Sequence, residues 1–386
     1  MRTQIIEELS WTEKGLPQKE RTKHVHGLHP YLGKFIPQIV DYFLDKYFRA
    51  ARYAILDPFV GSGTTLVEAN VYGKDSIGID ISEFNVLLSQ VKTSKYDMKL
   101  LRDEIFSIIS KTRTYFYSLS KGELDKFIEN NSRPKIPRVK SKYLKEWYLP
   151  SALHPLLIFR ELIPQYKYQD VLQILLTRTA RSARLAPHFE LDFPQKPQKT
   201  DYYCYKHRRI CHPTSSSLHF FVRYGNDILT RISSFQKLRT DSKIDIVCGD
   251  SRSINFAKYR MSGIITSPPY VGLIDYHDQH RYAYELLELQ DRTELEIGPK
   301  SKGSSKSAIE QYKSDIAKSL ENIANSGLED PAIIVVVVND KHNLYEEIAE
   351  LAGLKISNRL QRKVDRRTGM RVNGFYEDIL VFKTRK

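Results

Sequence analysis

The chain has 386 residues, 41% of them hydrophobic, which is enough for one large domain or two ordinary ones with a real core. No apolar run approaches the roughly 18–20 residues of a membrane span, the first residues do not read as a secretory signal, and three cysteines fit a reducing cytoplasm better than a disulfide framework. Lysine and arginine outnumber aspartate and glutamate 60 to 46, and residues 131–240 alone hold 20 basic against 7 acidic side chains, so a polyanionic partner is expected along the middle of the chain.

In chain order, the first informative stretch is RYAILDPFVGSGTTLVEANVYGKDSIGIDIS, residues 52–82. YAIL is a short run of strand formers, GSG turns the chain, TTLVEANVYG has helical spacing up to Gly73, and SIGID is a second strand ending on Asp80. Strand, glycine loop, helix, strand and acid make the opening of a nucleotide-binding α/β sheet. Gly61 and Gly63 permit a tight turn and a close ligand approach. The loop lacks the Gly-Lys-Ser/Thr of a phosphate loop and the third glycine of the dinucleotide fingerprint. Asp80 stands where an acid at a strand end bonds ribose hydroxyls.

From about residue 99 to 240 the pattern changes. LLRDEIFSIISKTRTYFYSL and YQDVLQILLTRTARSARL read as helices, alternating with proline-rich basic loops such as NSRPKIPRVK and DFPQKPQKT. Arg178, Arg181 and Arg184 recur every three residues; on a helix they make a stripe rising about 4.5 Å per step, near the spacing of successive phosphates, and are expected nucleic-acid contacts. In YYCYKHRRICHP, the residues Cys204, His207, Cys211 and His212 invite a metal reading. Their spacing matches no common zinc pattern, and adjacent ligands do not easily share one ion, so no metal is expected. The segment reads better as a loop carrying Lys206, Arg208 and Arg209 to phosphates and bases.

Strand-like runs then return: KIDIVCGD, GIITSPP, PAIIVVVVND and a terminal NGFYEDILVFK, the last resembling the closing strand of a hairpin. IGPKSKGSSKSAIEQY (297–312) is expected to be a mobile loop, in which Lys300, Lys302 and Lys306 either close over a nucleic acid or simply face solvent. Ser267, Pro268, Pro269 and Tyr270 follow an apolar strand. Pro269 has no N–H and biases Pro268 to an extended conformation that aims its carbonyl outward. Ser267 adds an acceptor and Tyr270 a flat aromatic face. An exocyclic amine of a nucleobase needs these features, because its lone pair is delocalised until acceptors take its N–H bonds, and the base must first leave the stack.

DPFVGSGTT and TSPPY together resemble the cofactor and catalytic motifs of amino-group DNA methyltransferases that use S-adenosylmethionine. Ser-Pro-Pro-Tyr is similar to the N4-cytosine group, whereas adenine-N6 enzymes usually carry Asp or Asn first. HPYLGKFIPQIV (29–40) resembles the family's helical motif over the methionine end of the cofactor, DIVCGDSRS (245–253) the strand whose acid contacts its adenine, and VGLIDYHDQHRYAYE (271–285) the segment after the catalytic motif. The resemblance implies a Rossmann-like methyltransferase three-layer α/β sandwich with a mostly helical basic insert, split as 1–98, 99–240 and 241–386, the insert being the target-recognition domain. It implies cofactor contacts at Lys34, Phe35, Asp57, Phe59, Gly61, Gly63, Thr64, Thr65, Asp80 and Asp250, and catalysis by Ser267, Pro268, Pro269 and Tyr270, with Asp275 and Tyr276 close behind. Double-stranded DNA is the implied substrate and a cognate restriction endonuclease a possible separate partner. Carbon-5 cytosine methylation is not expected, because none of the cysteines follows a proline. Adenine-N6 methylation, RNA methylation and a non-catalytic DNA-binding scaffold are the competing readings.

Overall fold

The computed structural model describes residues 4–12, 14–121, 139–340, 342–364 and 375–384. Residues 131–138 of the basic NSRPKIPRVK loop, and the first two of NGFYEDILVFK, lie outside them. Among the described residues there are ten strands: β1 Gln4–Ile5, β2 Ala54–Asp57, β3 Ser76–Asp80, β4 Tyr202–Cys204, β5 Arg209–Cys211, β6 Ile244–Cys248, β7 Met261–Thr266, β8 Leu328–Val338, β9 Leu354–Val364 and β10 Phe375–Thr384. Eight of them form one sheet in the order β1-β9-β10-β8-β7-β2-β3-β6, while β4 and β5 form a separate ribbon.

The five strands from β8 to β6 are parallel, and β10 is inserted antiparallel between β8 and β9. From β2 the chain first builds outward through β3 to β6, then crosses to the other side of β2 as β7 and β8. The reversal between β2 and β7 is a topological switch point, where the loops at the carboxyl ends of neighbouring strands part and leave a crevice.

Strand alternation assigns the two faces. Ile264, Ile334, Val336 and Leu380 pack with Ile316, Leu320 and Ile323 of helix Lys306–Ala324 and with Ile348 of helix Tyr345–Leu351. Their sequence neighbours Ile265, Val335, Val337 and Ile379 turn to the opposite face and bury Ile39, Val40, Phe43 and Leu44 of helix Pro37–Phe48. Period-2 side-chain alternation therefore generates a helix–sheet–helix sandwich from runs that are apolar throughout, as expected for strands covered on both faces.

Within the described residues, segment 99–240 adds no strand to the main sheet. Its helices Met98–Lys121, Pro150–Leu162, Gln169–Ala183 and Leu218–Gln236 share one core with Phe84, Leu87 and Leu88 of helix Glu83–Thr93 and with Tyr282 and Leu286. Segment 99–240 thus packs directly on the flank of the sheet half that carries β2, β3 and β6, sharing its core with helix Glu83–Thr93. Residues 297–312 differ from the expected loop: a short turn at Lys300–Lys302 leads into helix Lys306–Ala324, whose N-cap Ser305 accepts a hydrogen bond from the Ala308 amide. Lys306 is consequently helical, and Ser301 is tied down by its amide and hydroxyl, both 2.9 Å from Asp275 Oδ1.

Candidate active site

β2, β3, β6 and β7 are parallel, and the segments that follow their carboxyl ends wall a cleft that opens to solvent. After β2 come Phe59, Val60 and Gly61; after β3, Ile81 and Ser82; after β6, Gly249 and Asp250; after β7, Ser267 and Pro269. Tyr31, Lys34 and Phe35 close one side, and Tyr276, His277, Leu295, Glu296 and Ile297 the other.

The glycine loop is held from beneath and above. Gly61 and Gly63 have φ of +47° and +76°, in the left-handed region that side chains resist. A Cβ on Gly61 would lie 3.0 Å from Tyr31 Oη, and one on Gly63 would lie 2.9 Å from Ser89 Oγ. The Gly61 amide donates to Asp80 Oδ2 at 2.8 Å, while Asp80 Oδ1 accepts from the Ser82 amide at 2.9 Å and from Asn85 Nδ2 at 3.2 Å. Buried Lys92 donates its Nζ to the Ser62 carbonyl from below. Burial raises the Asp80 carboxyl above the ordinary range, against these hydrogen bonds.

The expected cofactor residues divide into two sets. Lys34, Phe35, Phe59, Gly61, Thr64, Asp80 and Asp250 line the cleft, whereas Asp57, Gly63 and Thr65 do not and instead shape its floor. Asp57 accepts from the Phe59 amide at 3.2 Å and from Thr266 Oγ1 at 2.6 Å, and Thr65 Oγ1 donates to the Ile265 carbonyl at 3.1 Å. Asp250 is already paired: Arg252 Nε and Nη2 hold both its oxygens at 2.7–3.0 Å. Its carboxyl stays below the usual range because these contacts outweigh its burial. Lys34 donates to the His26 carbonyl at 2.6 Å, and burial with the nearby Arg231 lowers its ammonium to about 8.

At the end of β7 the polar groups are unequally satisfied. Pro269's carbonyl accepts from Tyr312 Oη at 2.9 Å, and Tyr270 Oη donates to Glu377 Oε1 at 3.4 Å. Ser267 Oγ is buried without a well-aligned hydrogen bond, the Tyr270 hydroxyl being its polar neighbour, and among the described residues none donates to the Pro268 carbonyl, which is buried and lines neither this cleft nor the hollow beside Tyr270. Tyr270 faces a second hollow, lined also by Val271, Leu273, Tyr312, Asn339 and Tyr345. Asp275 is occupied with Ser301 and shows a structural use; Tyr276 lines the cleft, stacked on Tyr31 with ring centroids 6.2 Å apart.

The insert's candidate DNA contacts also divide. Arg178, Arg181 and Arg184 do not form an exposed stripe, contrary to the reading of their spacing. Arg178 Nη1 is 2.6 Å from Asp227 Oδ2, Arg181 pairs with Asp192, and Arg184 donates to the Leu191 carbonyl at 2.7 Å with its guanidinium 4.7 Å from the Tyr282 ring centre. Helix Gln169–Ala183 stops before Arg184, and the arginines turn inward to partners outside the helix: Asp227, 49 residues from Arg178, and Asp192 and the Leu191 carbonyl in the loop that follows. Lys206, Arg208 and Arg209, by contrast, are exposed on the β4–β5 hairpin.

Tyr31, Asn85, His277 and Glu296 line the cleft without having been singled out from the sequence. His277 Nδ1 and the amides of Tyr276 and His277 all bond to Glu296, fixing that wall. Tyr31 and His277 sit inside stretches already matched by motif, but Asn85 and Glu296 carry no such signal.

As a receptacle, the cleft joins apolar walls (Phe35, Phe59, Ile81, Leu295, Ile297), the Gly61 backbone, and three carboxylates, Asp80, Asp250 and Glu296. That donor set fits an amphipathic ligand with a flat base, hydroxyls and positive charge, which is the make-up of S-adenosylmethionine.

A family model described as DNA methylase, of the N6 and N4 type, matches residues 11–91. The type II methyltransferase M.MjaII of Methanocaldococcus jannaschii is 39% identical over 435 aligned positions, covering 95% of this chain and 82% of that protein. Two further type II methyltransferases are each 30% identical over shorter stretches: M.MvaI of Kocuria varians over 96 residues, 23% of this chain and 21% of its own, and M.BsoBI of Geobacillus stearothermophilus over 98 residues, 25% and 19%.

Proposed function

The chain belongs to the type II methyltransferases, a family of DNA-modifying enzymes with S-adenosylmethionine as methyl donor, and on that premise we propose that it methylates the exocyclic N4 amine of a cytosine flipped out of duplex DNA. The observation that carries the reading is Ser267 Oγ on the cleft wall at the end of β7, a buried acceptor without a well-aligned hydrogen bond, followed by the Pro268 carbonyl, to which no described residue donates, and by a Pro269 carbonyl that Tyr312 has already capped.

S-adenosylmethionine, when bound, supplies an electrophilic methyl on a sulfonium. The residues that would hold it are Gly61 and Asp80 at the ribose side, Phe59, Leu295 and Ile297 around the base, and Lys34, Phe35 and Thr64 toward the methionine end. Asp57, Gly63 and Thr65 keep the loop in shape from behind. Asp250, bound to Arg252, acts on that ligand through the position of the strand end. A carboxylate oxygen has more than one acceptor site, so Asp80 can bond a hydroxyl while holding the Gly61 amide.

The chemistry left to the chain is preparation of the amine. Ser267 Oγ and the Pro268 carbonyl each accept one N–H of the target amine, which draws its lone pair out of conjugation with the ring. The same acceptors meet the positive charge that grows on nitrogen. Tyr270 supplies a flat face for the extruded base, at the mouth of the second hollow. No covalent enzyme intermediate is needed.

Serine at the first platform position favours cytosine. Adenine N6 is the second reading, since the acceptor geometry serves either amine. The exposed Lys206, Arg208 and Arg209 serve the phosphate backbone, and a restriction endonuclease of the same specificity is the proposed separate partner. Nucleoside analysis of methylated duplex DNA tests the reading: N4-methylcytosine supports it, and N6-methyladenine replaces the target base while leaving the platform's role intact.

A further inference from the structure

Between helices Gln169–Ala183 and Leu218–Gln236 the chain runs through residues 188–216 with almost no core. The only buried residues in that stretch are Cys204 and Cys211. Phe189, Tyr203, Tyr205 and Ile210 are exposed. Its regular structure is the β4–β5 ribbon, two strands of three residues each. A ribbon that small is at best marginal in water, and small units without apolar burial take disulfides or metals instead.

The side chains beneath the ribbon are chemically selected. Cys204 Sγ lies 3.6 Å and Cys211 Sγ 3.5 Å from His207 Nδ1. His188 arrives from the preceding loop, its ring centre 4.8 Å from that of His207, and its buried Nδ1 has no hydrogen-bond partner. One ligand atom from each of His188, Cys204, His207 and Cys211 lies within 4.8 Å of every other. Bond lengths of about 2.3 Å to sulfur and 2.0 Å to nitrogen give tetrahedral edges of about 3.3–3.8 Å, which is where the two sulfur–nitrogen separations fall. The turn suits the arrangement: the His207 amide donates to the Cys204 carbonyl at 3.1 Å, and Arg208 takes a left-handed φ of +54°, so both ribbon strands return their ligands to one side.

We propose that His188, Cys204, His207 and Cys211 form a structural zinc site within the basic insert. Two thiolates with two imidazoles select zinc over hard cations, and four protein ligands leave no open position for catalysis. His212, which sequence spacing pairs with the two cysteines, is not a ligand: its Nδ1 turns outward to Asp201 Oδ1 at 2.7 Å. The metal takes the place of the missing core and fixes the hairpin that displays Lys206, Arg208 and Arg209. That last consequence rests on the proposed DNA contact; the site itself does not.

Metal analysis of the full chain, purified without chelator, is the test, joined to cobalt substitution. The expected result is close to one zinc per chain, and on exchange the intense visible bands of tetrahedral cobalt with thiolate charge transfer in the near ultraviolet. Cys204→Ser and Cys211→Ser should lose the metal and the charge-transfer bands, with residues 188–216 becoming the first site of limited proteolysis. His188→Ala should weaken retention, while His212→Ala keeps full occupancy. Retained S-adenosylmethionine binding in each variant reports that the remainder is folded. A wild-type chain that holds no metal and yields no thiolate–cobalt spectrum, or one whose Cys204 and Cys211 are found joined as a disulfide, overturns the proposal. So does a Cys204→Ser variant with undiminished zinc.

Discussion

Thr266 Oγ1 donates to Asp57 Oδ1 at 2.6 Å, so the last residue of β7 is bonded to the last residue of β2 across the switch point. The glycine loop begins one residue after Asp57, and the Ser-Pro-Pro-Tyr platform one residue after Thr266. One buried hydrogen bond therefore registers the two halves of the candidate active site against each other.

Asp57 gives this bond a pH signature. Burial pushes its carboxyl up to about 6, with the Thr266 hydrogen bond pulling the other way, and its Oδ2 is buried without a partner. The folded chain keeps this proton to higher pH than the unfolded chain, so the group's stabilising contribution is complete below about 4 and is lost as pH rises toward about 6. Asp57→Asn removes that titration while keeping an acceptor for Thr266. Its Tm should fall less than that of the wild type between about pH 4 and 7; parallel Tm–pH curves would show that Asp57 does not titrate in this way.

On the proposed reading, Ser267→Ala removes an acceptor used only once the amine is being activated. We expect kcat to fall about 10–100-fold, corresponding to roughly 1–3 kcal/mol for an unmet buried N–H, with S-adenosylmethionine affinity nearly unchanged by calorimetry. Tyr312→Phe releases the Pro269 carbonyl and the contact to Tyr345. It should lower stability by about 1 kcal/mol and reduce kcat less than Ser267→Ala does.

Two glycines separate backbone strain from ligand clearance. Gly61 and Gly73 both have positive φ, but a Cβ on Gly61 meets Tyr31 at 3.0 Å while one on Gly73 meets nothing within 4 Å. Each alanine variant should lose about 1–2 kcal/mol of stability. Only Gly61→Ala should also weaken cofactor binding, by about tenfold or more, since roughly 1.4 kcal/mol at the cradle already amounts to that factor.

The basic residues of the insert are distinguished by salt dependence. Replacing Lys206, Arg208 and Arg209 with alanine should flatten the slope of log K against log salt for DNA by about 0.9 for each phosphate no longer neutralised, with little change in Tm. Arg178→Ala should behave oppositely. It strips Asp227 of one of two guanidinium partners, leaving Arg231 at 2.8 Å, and should cost about 1–3 kcal/mol of stability with the salt slope intact.

What the sequence discloses and conceals follows from the range of each interaction. The strand–loop–helix–strand opening at 52–82 is local: apolar runs, glycines and a terminal acid close together specify it, and β2, the loop and β3 lie where those signals place them. The place of Ser267 and Pro269 at the end of β7 is legible because two prolines constrain backbone without help from afar. The arginines are not, because spacing gives a helix face but not what that face meets. Asp227 is 49 residues from Arg178, and Arg184 lies past the helix end. Asp250 reads as a free acid because its partner Arg252, two residues on, is as consistent with solvent as with a clamp. His188 cannot be linked to Cys204 and Cys211 from spacing, since only the fold of the 188–216 segment brings that loop beneath the hairpin.

The proposed reaction is tested most directly by incubating the chain with labelled S-adenosylmethionine and mixed-sequence duplex DNA, digesting the product to nucleosides and identifying them by mass spectrometry. The expected product is N4-methylcytosine, lost with Ser267→Ala. N6-methyladenine, or a labelled product that persists undiminished in Ser267→Ala, would contradict it.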